Sequence, residues 1–551
     1  MPFAWAASGA QFGIKMWREG LAPGRVAAMT TRRKAYLIGL DGFNWGLYRY
    51  LEERGVIPVL SGLVGKGCGG ILRSTRPPYT GPAWVSMFTG RNPGAHGIYG
   101  FTRRRRESYA QEVLNASSIR VPRLWDYLGE AGKSVGVFNV PFTFPAAAVS
   151  GFMVTGMLTP SADSPCAFPP AVAGLVKAAE PYPFDLGVDP DLDAGSPSVI
   201  GRIELELAAK VSLLDRLLEG EDPDFLMTVF VAPDRLQHLW GKAILTGDEC
   251  LSPRIRDGIL SVFSRLDRAL GALADRLGDE GLLLIASDHG FTGLEGTFYL
   301  NSWLVREGFL VLRSGAGGFS RFLGRCNRPW LKRMVPRRLL RYSRSGSLSD
   351  LIDWGSTRAY ASPGMEEGLY YNRVGREPAG VVDAAEAGEL DARLAASLAD
   401  SGMEGIAGAV VRDEVYRGDC VGMAPDLLLD FRRPGWNMSP SLTGDVLSRR
   451  YQGSPFGIHH PDGFWSASGP GIEPGAGGEG KIVDVAPSVL SFLGVAVPDW
   501  MEGSPLPSLS FAAPPSPAGR EFSPRPGPEK HDYGPDEEAA IKHRLAGLGY
   551  L

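Results

Sequence analysis

From residue 34 onward the chain alternates short apolar runs with longer stretches in which apolar positions recur at helical spacing. The short runs are AYLIGL (35–40), SVGVFNV (134–140), FLMTVFV (225–231), GLLLIAS (281–287), DLLLDF (426–431) and FWSAS (464–468). Most are apolar almost throughout instead of alternating, the pattern of strands buried on both faces. Helical spacing follows Asn44 and covers 124–132, 203–218, 254–277 and the segment VDVAPSVLSFLG around Val483. Strands alternating with helices predict an α/β fold: a central, largely parallel sheet with helices on both faces. In open sheets of this kind ligands gather beyond the carboxyl ends of the strands, so the residues that follow each strand carry the functional signal.

Three segments interrupt the alternation. Residues 150–200 are rich in Pro, Ser, Ala and Gly and are expected as a long excursion or small cap. Residues 311–349 carry many arginines among Phe, Trp and Leu, from Arg313 to Arg344, with no acidic residue between those two. That stretch is expected as an insertion over a site, with attachment to anionic lipid the lesser alternative. Residues 509–530 form a Pro-rich linker. It leads to a short amphipathic helix with acids early and bases late, the order a helix dipole favours. The expected organisation is an N-terminal extension (1–33), a main domain (34–508) with insertions at about 150–200 and 311–349, the linker (509–530) and a C-terminal helix (531–551).

Composition narrows the class. A chain of 551 residues with 44% hydrophobic and 21% charged side chains can bury a large core. A formal net charge of -4 argues against a nucleic-acid-binding role, because such chains carry a strong basic excess. The five cysteines are widely spread and include no C-x-x-C pair, so neither a disulfide framework nor a cysteine–zinc knuckle is expected, and a reducing, cytoplasmic setting fits. No long apolar stretch or charged, then apolar, N-terminus predicts a membrane span or signal peptide.

The candidate chemistry lies after the strands. LIGLDG ends in Asp41, FLMTVFVAPD leads to Asp234 and then His238, and LLLIASDHG ends in Asp288 and His289. Asp234 and His238 are four apart, which on a helix places them on one face. FGIHHPDG offers His459 and His460 just before another strand. The chain has only seven histidines, and several fall in these segments. Each fragment has a plain structural reading: Asp-Gly after a strand is commonly a turn, and Asp-x-x-x-His is commonly a helix-surface pair. Their joint arrival at strand ends points to metal ligation. Thr80 stands between Pro77-Pro78 and Gly81-Pro82 and opens the helical pattern of PAWVSMF. It either caps that helix or faces an anion at the helix's positive end. Threonine needs a base or a cation to become a nucleophile, and no histidine lies in its local turn.

The set LIGLDG, YTGPAWVSMFTGRNPGAHGI, DRLQHLW, SDHG and GIHHPDG resembles the type I phosphodiesterase and nucleotide pyrophosphatase branch of the alkaline phosphatase superfamily, over residues 34–503. The resemblance implies an alkaline phosphatase-like fold and two divalent cations, zinc with manganese also compatible with the ligand types. It further implies that one cation is held by Asp234, His238 and His459, and the other by Asp41, Asp288 and His289 with the Thr80 oxygen. His459 rather than His460 matches the family's G-x-H-x-P pattern. Thr80 would form a covalent phosphothreonine in the hydrolysis of a small phosphoester, nucleotide or lipid head group among the candidates. A phosphomutase, a phosphotransferase or a non-catalytic binder of metal and phosphate are the alternatives. The chain departs from the family where nucleotide pyrophosphatases carry Phe-Pro-Asn after the nucleophile; here Gly81-Pro82-Ala83 stands, so the Asn donor is missing. Asn44 or a backbone amide near Phe43 is the expected replacement. His96 is expected to be structural, the arginines of 103–106 a solvated cluster, and no Cys-x-Pro-x-Arg sulfatase segment appears near Thr80.

Overall fold

The computed structural model describes residues 32–313 and 348–547 apart from 106, 180–181, 363, 365–366, 404, 444, 450–451, 510 and 512–526. The extension 1–31, most of the basic stretch 311–349 and most of the linker 509–530 therefore lie outside the described residues. Among the described residues no helix is long and apolar enough to cross a membrane.

A 10-stranded mixed sheet organises the molecule. Its principal strands are β1 (Ala35–Leu40), β2 (Cys68–Arg73), β3 (Val135–Val140), β4 (Gly151–Thr155), β5 (Phe225–Phe230), β6 (Leu282–Ala286) and β7 (Asp462–Ser468). Their spatial order is β2-β7-β6-β1-β5-β3-β4, with short strands at both margins. β6, β1, β5, β3 and β4 run parallel, and β7 runs antiparallel to both β6 and β2. Every residue of β1, β3, β5 and β6 is buried, which is why their sequences are continuously apolar. The segment around 150–200 contributes β4 and the short strand Ala167–Phe168 to this sheet.

The helices that matter for the site are α1 (Trp45–Glu52), α2 (Thr80–Thr89) and α3 (Ala232–Thr246), with the long α4 (Pro253–Leu277) covering one face. Each of the first three follows a strand that ends at the same edge of the sheet. The run 426–431 departs from the expectation of a central strand. Leu427–Phe431 instead belongs to a separate four-stranded antiparallel sheet with Ala359–Tyr360, Gly368–Tyr371 and Ile406–Val411, packed on its own apolar cluster around Trp303, Leu369 and Leu394. An apolar run of that length fits a strand in either sheet, and only long-range pairing chooses between them. The C-terminal helix α5 (Pro535–Gly547) buries Ile541 and Leu545 in the main core.

Candidate active site

β1 ends in Leu40, and Asp41 stands one residue beyond, its amide donating to Phe230 O at 3.1 Å. Gly42 then turns the chain with φ +71, a conformation that favours glycine, and a Cβ there would lie 2.6 Å from the Phe291 ring. The turn fastens three elements: Gly42 N donates to Asp288 Oδ1 (3.1 Å) and Gln237 Nε2 donates to Gly42 O (2.7 Å). Asp234 lies in the first turn of α3 and His238 one turn on. Asp288 and His289 follow β6, and Gly290–Gly293 pairs antiparallel with Gly457–His460 so that Phe291 faces His459. Side chains alternate along a strand, so this pairing turns His459 inward, 9% exposed, and leaves His460 at the margin, accepting from Asp462 N at 3.2 Å.

Two overlapping groups of donor atoms result. His238 Nε2 and His459 Nε2 are 3.1 Å apart, and each is 3.4 Å from Asp234 Oδ1. Donors around one tetrahedral ion at about 2.1 Å lie about 3.4 Å from one another, so this triangle fits a cation. In the second group His289 Nε2 is 3.3 Å from Asp288 Oδ2 and 3.6 Å from Asp41 Oδ1. The Thr80 hydroxyl stands 3.2 Å from the same nitrogen. Asp234, His289 and His459 also bring ligand atoms within 4.8 Å of one another, so His289 lies between the two groups.

The carboxylates share one arrangement. Each has one oxygen held and one left without a hydrogen-bond partner: Asp41 Oδ2 accepts from Trp84 Nε1 (3.0 Å), Asp288 Oδ1 from Gly42 N, and Asp234 Oδ2 from Arg235 Nη1, whose other terminal nitrogen meets Asp185 Oδ1 at 2.8 Å. The oxygens without partners, Asp41 Oδ1, Asp234 Oδ1 and Asp288 Oδ2, are the ones that face the imidazoles. Buried polar atoms are ordinarily satisfied, so these three oxygens, divided between two donor groups that share His289, suit cationic partners. The imidazoles agree. His289 Nδ1 donates to Gly290 O and His459 Nδ1 to Pro78 O, each at 3.1 Å, which leaves both Nε2 lone pairs facing the carboxylates.

Electrostatics point the same way. Burial, then the charge of Asp234, pushes the Asp41 carboxyl well above its usual range. Burial and then Asp41 do the same to Asp288. Asp234 is also disfavoured by burial, but His238, His459 and Arg235 outweigh that and hold it well below the ordinary value. Burial depresses His289 and His459, favouring neutral imidazoles. Such a site suits divalent cations, which would favour ionised carboxylates and neutral imidazoles together.

Thr80 is fully buried and occupies the first position of α2; the N-cap is Tyr79, without a side-chain cap bond. Its hydroxyl stands 3.2 Å from His289 Nε2. Asn44, the expected substitute for the missing Asn donor, caps α1 by accepting from Leu47 N (2.8 Å) and donates to Phe291 O (3.1 Å). These bonds commit the Asn44 carbonyl oxygen and one of the two Nδ2 hydrogens. His96 is fully buried between Ser86 Oγ (2.9 Å) and the Ile98 amide (3.1 Å). Sequence reasoning missed Trp84, Arg235, Asp185 and Gln237. Arg235 could have been suspected from its place beside Asp234; the other three carry no local signal.

The family model for type I phosphodiesterase / nucleotide pyrophosphatase matches residues 35–462. Among solved structures, phosphonoacetate hydrolase from Sinorhizobium meliloti is similar at 16% identity and TM-score 0.50, covering 83% of this chain and 94% of its own. Human ectonucleotide pyrophosphatase / phosphodiesterase 5 is similar at 14% identity and TM-score 0.50, covering 86% and 97%. These likenesses show an alkaline phosphatase-like fold. None of the curated proteins compared matches significantly.

Proposed function

Because the chain belongs to the type I phosphodiesterase / nucleotide pyrophosphatase family, and so is a phosphoester hydrolase, we propose that it cleaves a small phosphodiester through a covalent phosphothreonine at Thr80. In this reading Asp234, His238 and His459 hold one divalent cation, and Asp41, Asp288, His289 and the Thr80 oxygen hold the other. When bound, the cations would lower the pKa of the Thr80 hydroxyl and offset the charge of the phosphoryl oxygens. Thr80 Oγ1 forms the bond to phosphorus as the bond to the leaving alkoxide breaks, and water then cleaves the phosphothreonine to release the phosphoryl product. Burial of Thr80 and the fixed entry of α2 hold the hydroxyl beside His289 Nε2, and the amino end of α2 favours the phosphoryl charge. Trp84, Gly42 and Arg235 keep the second oxygen of each carboxylate occupied, so one oxygen of each remains directed inward.

The observation that carries this reading is the set of three carboxylate oxygens without hydrogen-bond partners that face the imidazoles, with the Thr80 hydroxyl 3.2 Å from His289 Nε2. The donor set of carboxylates and imidazoles suits zinc or manganese. The test is hydrolysis of bis-p-nitrophenyl phosphate and of p-nitrophenyl phosphate by chelator-stripped protein refilled with zinc or manganese. We expect metal-dependent diester cleavage that falls at least a thousandfold in Thr80→Ala. Undiminished turnover in Thr80→Ala would remove threonine as the nucleophile.

A further inference from the structure

A cavity of about 1190 Å³ opens between the hairpin of Thr102–Arg104 and Gln111–Val113 and the segment that follows the strand Gly368–Tyr371. Neither Thr80 nor any of the clustered carboxylates and imidazoles lines it. Its wall carries Arg104, Arg373 and Arg376, all partly buried, around the ring of Tyr370. The Arg104 and Arg376 guanidiniums lie 5.2 and 5.7 Å from that ring's centroid.

The charges here do not balance. Arg104 and Arg376 share Glu377, at 2.8 and 2.9 Å, while Arg373, Arg376 and Arg412 share Asp426, at 2.8, 2.6 and 3.2 Å. Glu377 and Asp426 are sequestered, with side chains 0% and 1% exposed. Four guanidiniums thus depend on two buried carboxylates, and the further carboxylate in contact with Arg412 is the exposed Asp413 at 3.8 Å. The nearby Asp391 is engaged by the Tyr371 hydroxyl at 2.7 Å. Arg104 Nε is buried without a hydrogen-bond partner. Exposed Arg103, Arg105 and Arg120 add positive charge to the wall, and Glu107, Glu112 and Asp419 offset it, Glu112 pairing with Arg103 at 2.5 Å. Among the described residues the lining as a whole therefore holds six arginines against four acids. Guanidinium forks match phosphoryl oxygens in pairs, and partly buried cationic excess is relieved by an anion that enters from solvent. The volume is ample for a metabolite-sized ligand.

We propose that this cavity is a second ligand site, separate from the residues around Thr80, that binds a small molecule carrying two or more phosphoryl groups. Arg104, Arg373 and Arg376 supply its donors, and Tyr370 holds two of those guanidiniums in place.

The test titrates D-fructose 1,6-bisphosphate calorimetrically into metal-loaded full-length Thr80→Ala protein. We expect one saturable event that weakens as NaCl is raised, persists when Asp41→Asn and Asp288→Asn are added, and weakens at least tenfold with Arg373→Gln. Arg120→Ala, at an exposed position, should weaken it about threefold, as expected for loss of one partly screened contact. With Thr80 restored, Arg373→Gln should hydrolyse bis-p-nitrophenyl phosphate within twofold of the parent. Absence of binding, loss of binding with Asp41→Asn and Asp288→Asn, or equal affinity in Arg373→Gln and Arg120→Ala relative to the parent would each overturn the proposal.

Discussion

At the residue scale, the site depends on side chains that position other side chains. Trp84 is fully buried in α2, and its indole N–H donates to the oxygen by which Asp41 is held. Trp84→Phe keeps most of the apolar volume and removes that bond. Loss of such an outer partner ordinarily weakens metal affinity about 10- to 100-fold, which competition with a chromogenic chelator measures. Unchanged affinity would show that packing alone fixes Asp41. The family resemblance favoured His459 over His460 without giving the physical reason. His459 and His460 are neighbours of identical chemistry, and it is the antiparallel pairing with Gly290–Gly293 that turns one inward and the other to the margin.

At the element scale, α2 carries the candidate nucleophile at one end and is tied at the other to the short helix Pro93–His96. Ser86 of α2 contacts His96 Nε2, and the Ile98 amide donates to His96 Nδ1, so a second ring proton would face a donor. Burial, then the charge of Arg91, lowers the His96 pKa to about 3 from an ordinary value of 6.5. The folded state therefore binds fewer protons than the unfolded state between those values. Stability from a neutral His96 is complete above pH 6.5 and declines as pH falls toward 3, by up to about 1.4 kcal/mol per pH unit. His96→Gln is expected to be less stable at neutral pH and to lose stability less steeply on acidification, as denaturant titrations at several pH values would show. Parallel profiles for the two proteins would refute the assignment. Elements such as α2 were readable from apolar spacing, and so were five strands of the main sheet, whereas Cys68–Arg73 and Gly151–Thr155 were not. The placement of Leu427–Phe431 in the separate sheet was not, because strand pattern records burial and not partner.

At the scale of the whole molecule, the carboxyl ends of β1, β5 and β6 and the amino end of β7 meet at one edge, so residues far apart in sequence surround a single buried volume. Its carboxylates repel one another in a dry site, and cation binding to the folded chain alone should stabilise the entire fold. At free metal a hundredfold above its dissociation constant the gain is about 2.7 kcal/mol. Chelation should therefore lower the melting temperature of the parent and of Thr80→Ala, and lower it much less in Asp288→Asn, by scanning fluorimetry. Equal shifts in all three would detach stability from the site.

The sequence by itself determined the alternation of strands and helices, the acidic and histidine residues that follow the strands, and the motifs that resemble the family. Those features are local, written in periodicity and spacing that the backbone geometry of each element requires. Tertiary structure alone decided which carboxylate oxygen is held and which is left without a partner, that Asn44 donates to Phe291 O, and that Arg104, Arg373 and Arg376 share a wall. Each of these depends on contacts between segments separated by tens to hundreds of residues, where orientation follows from packing and not from order along the chain.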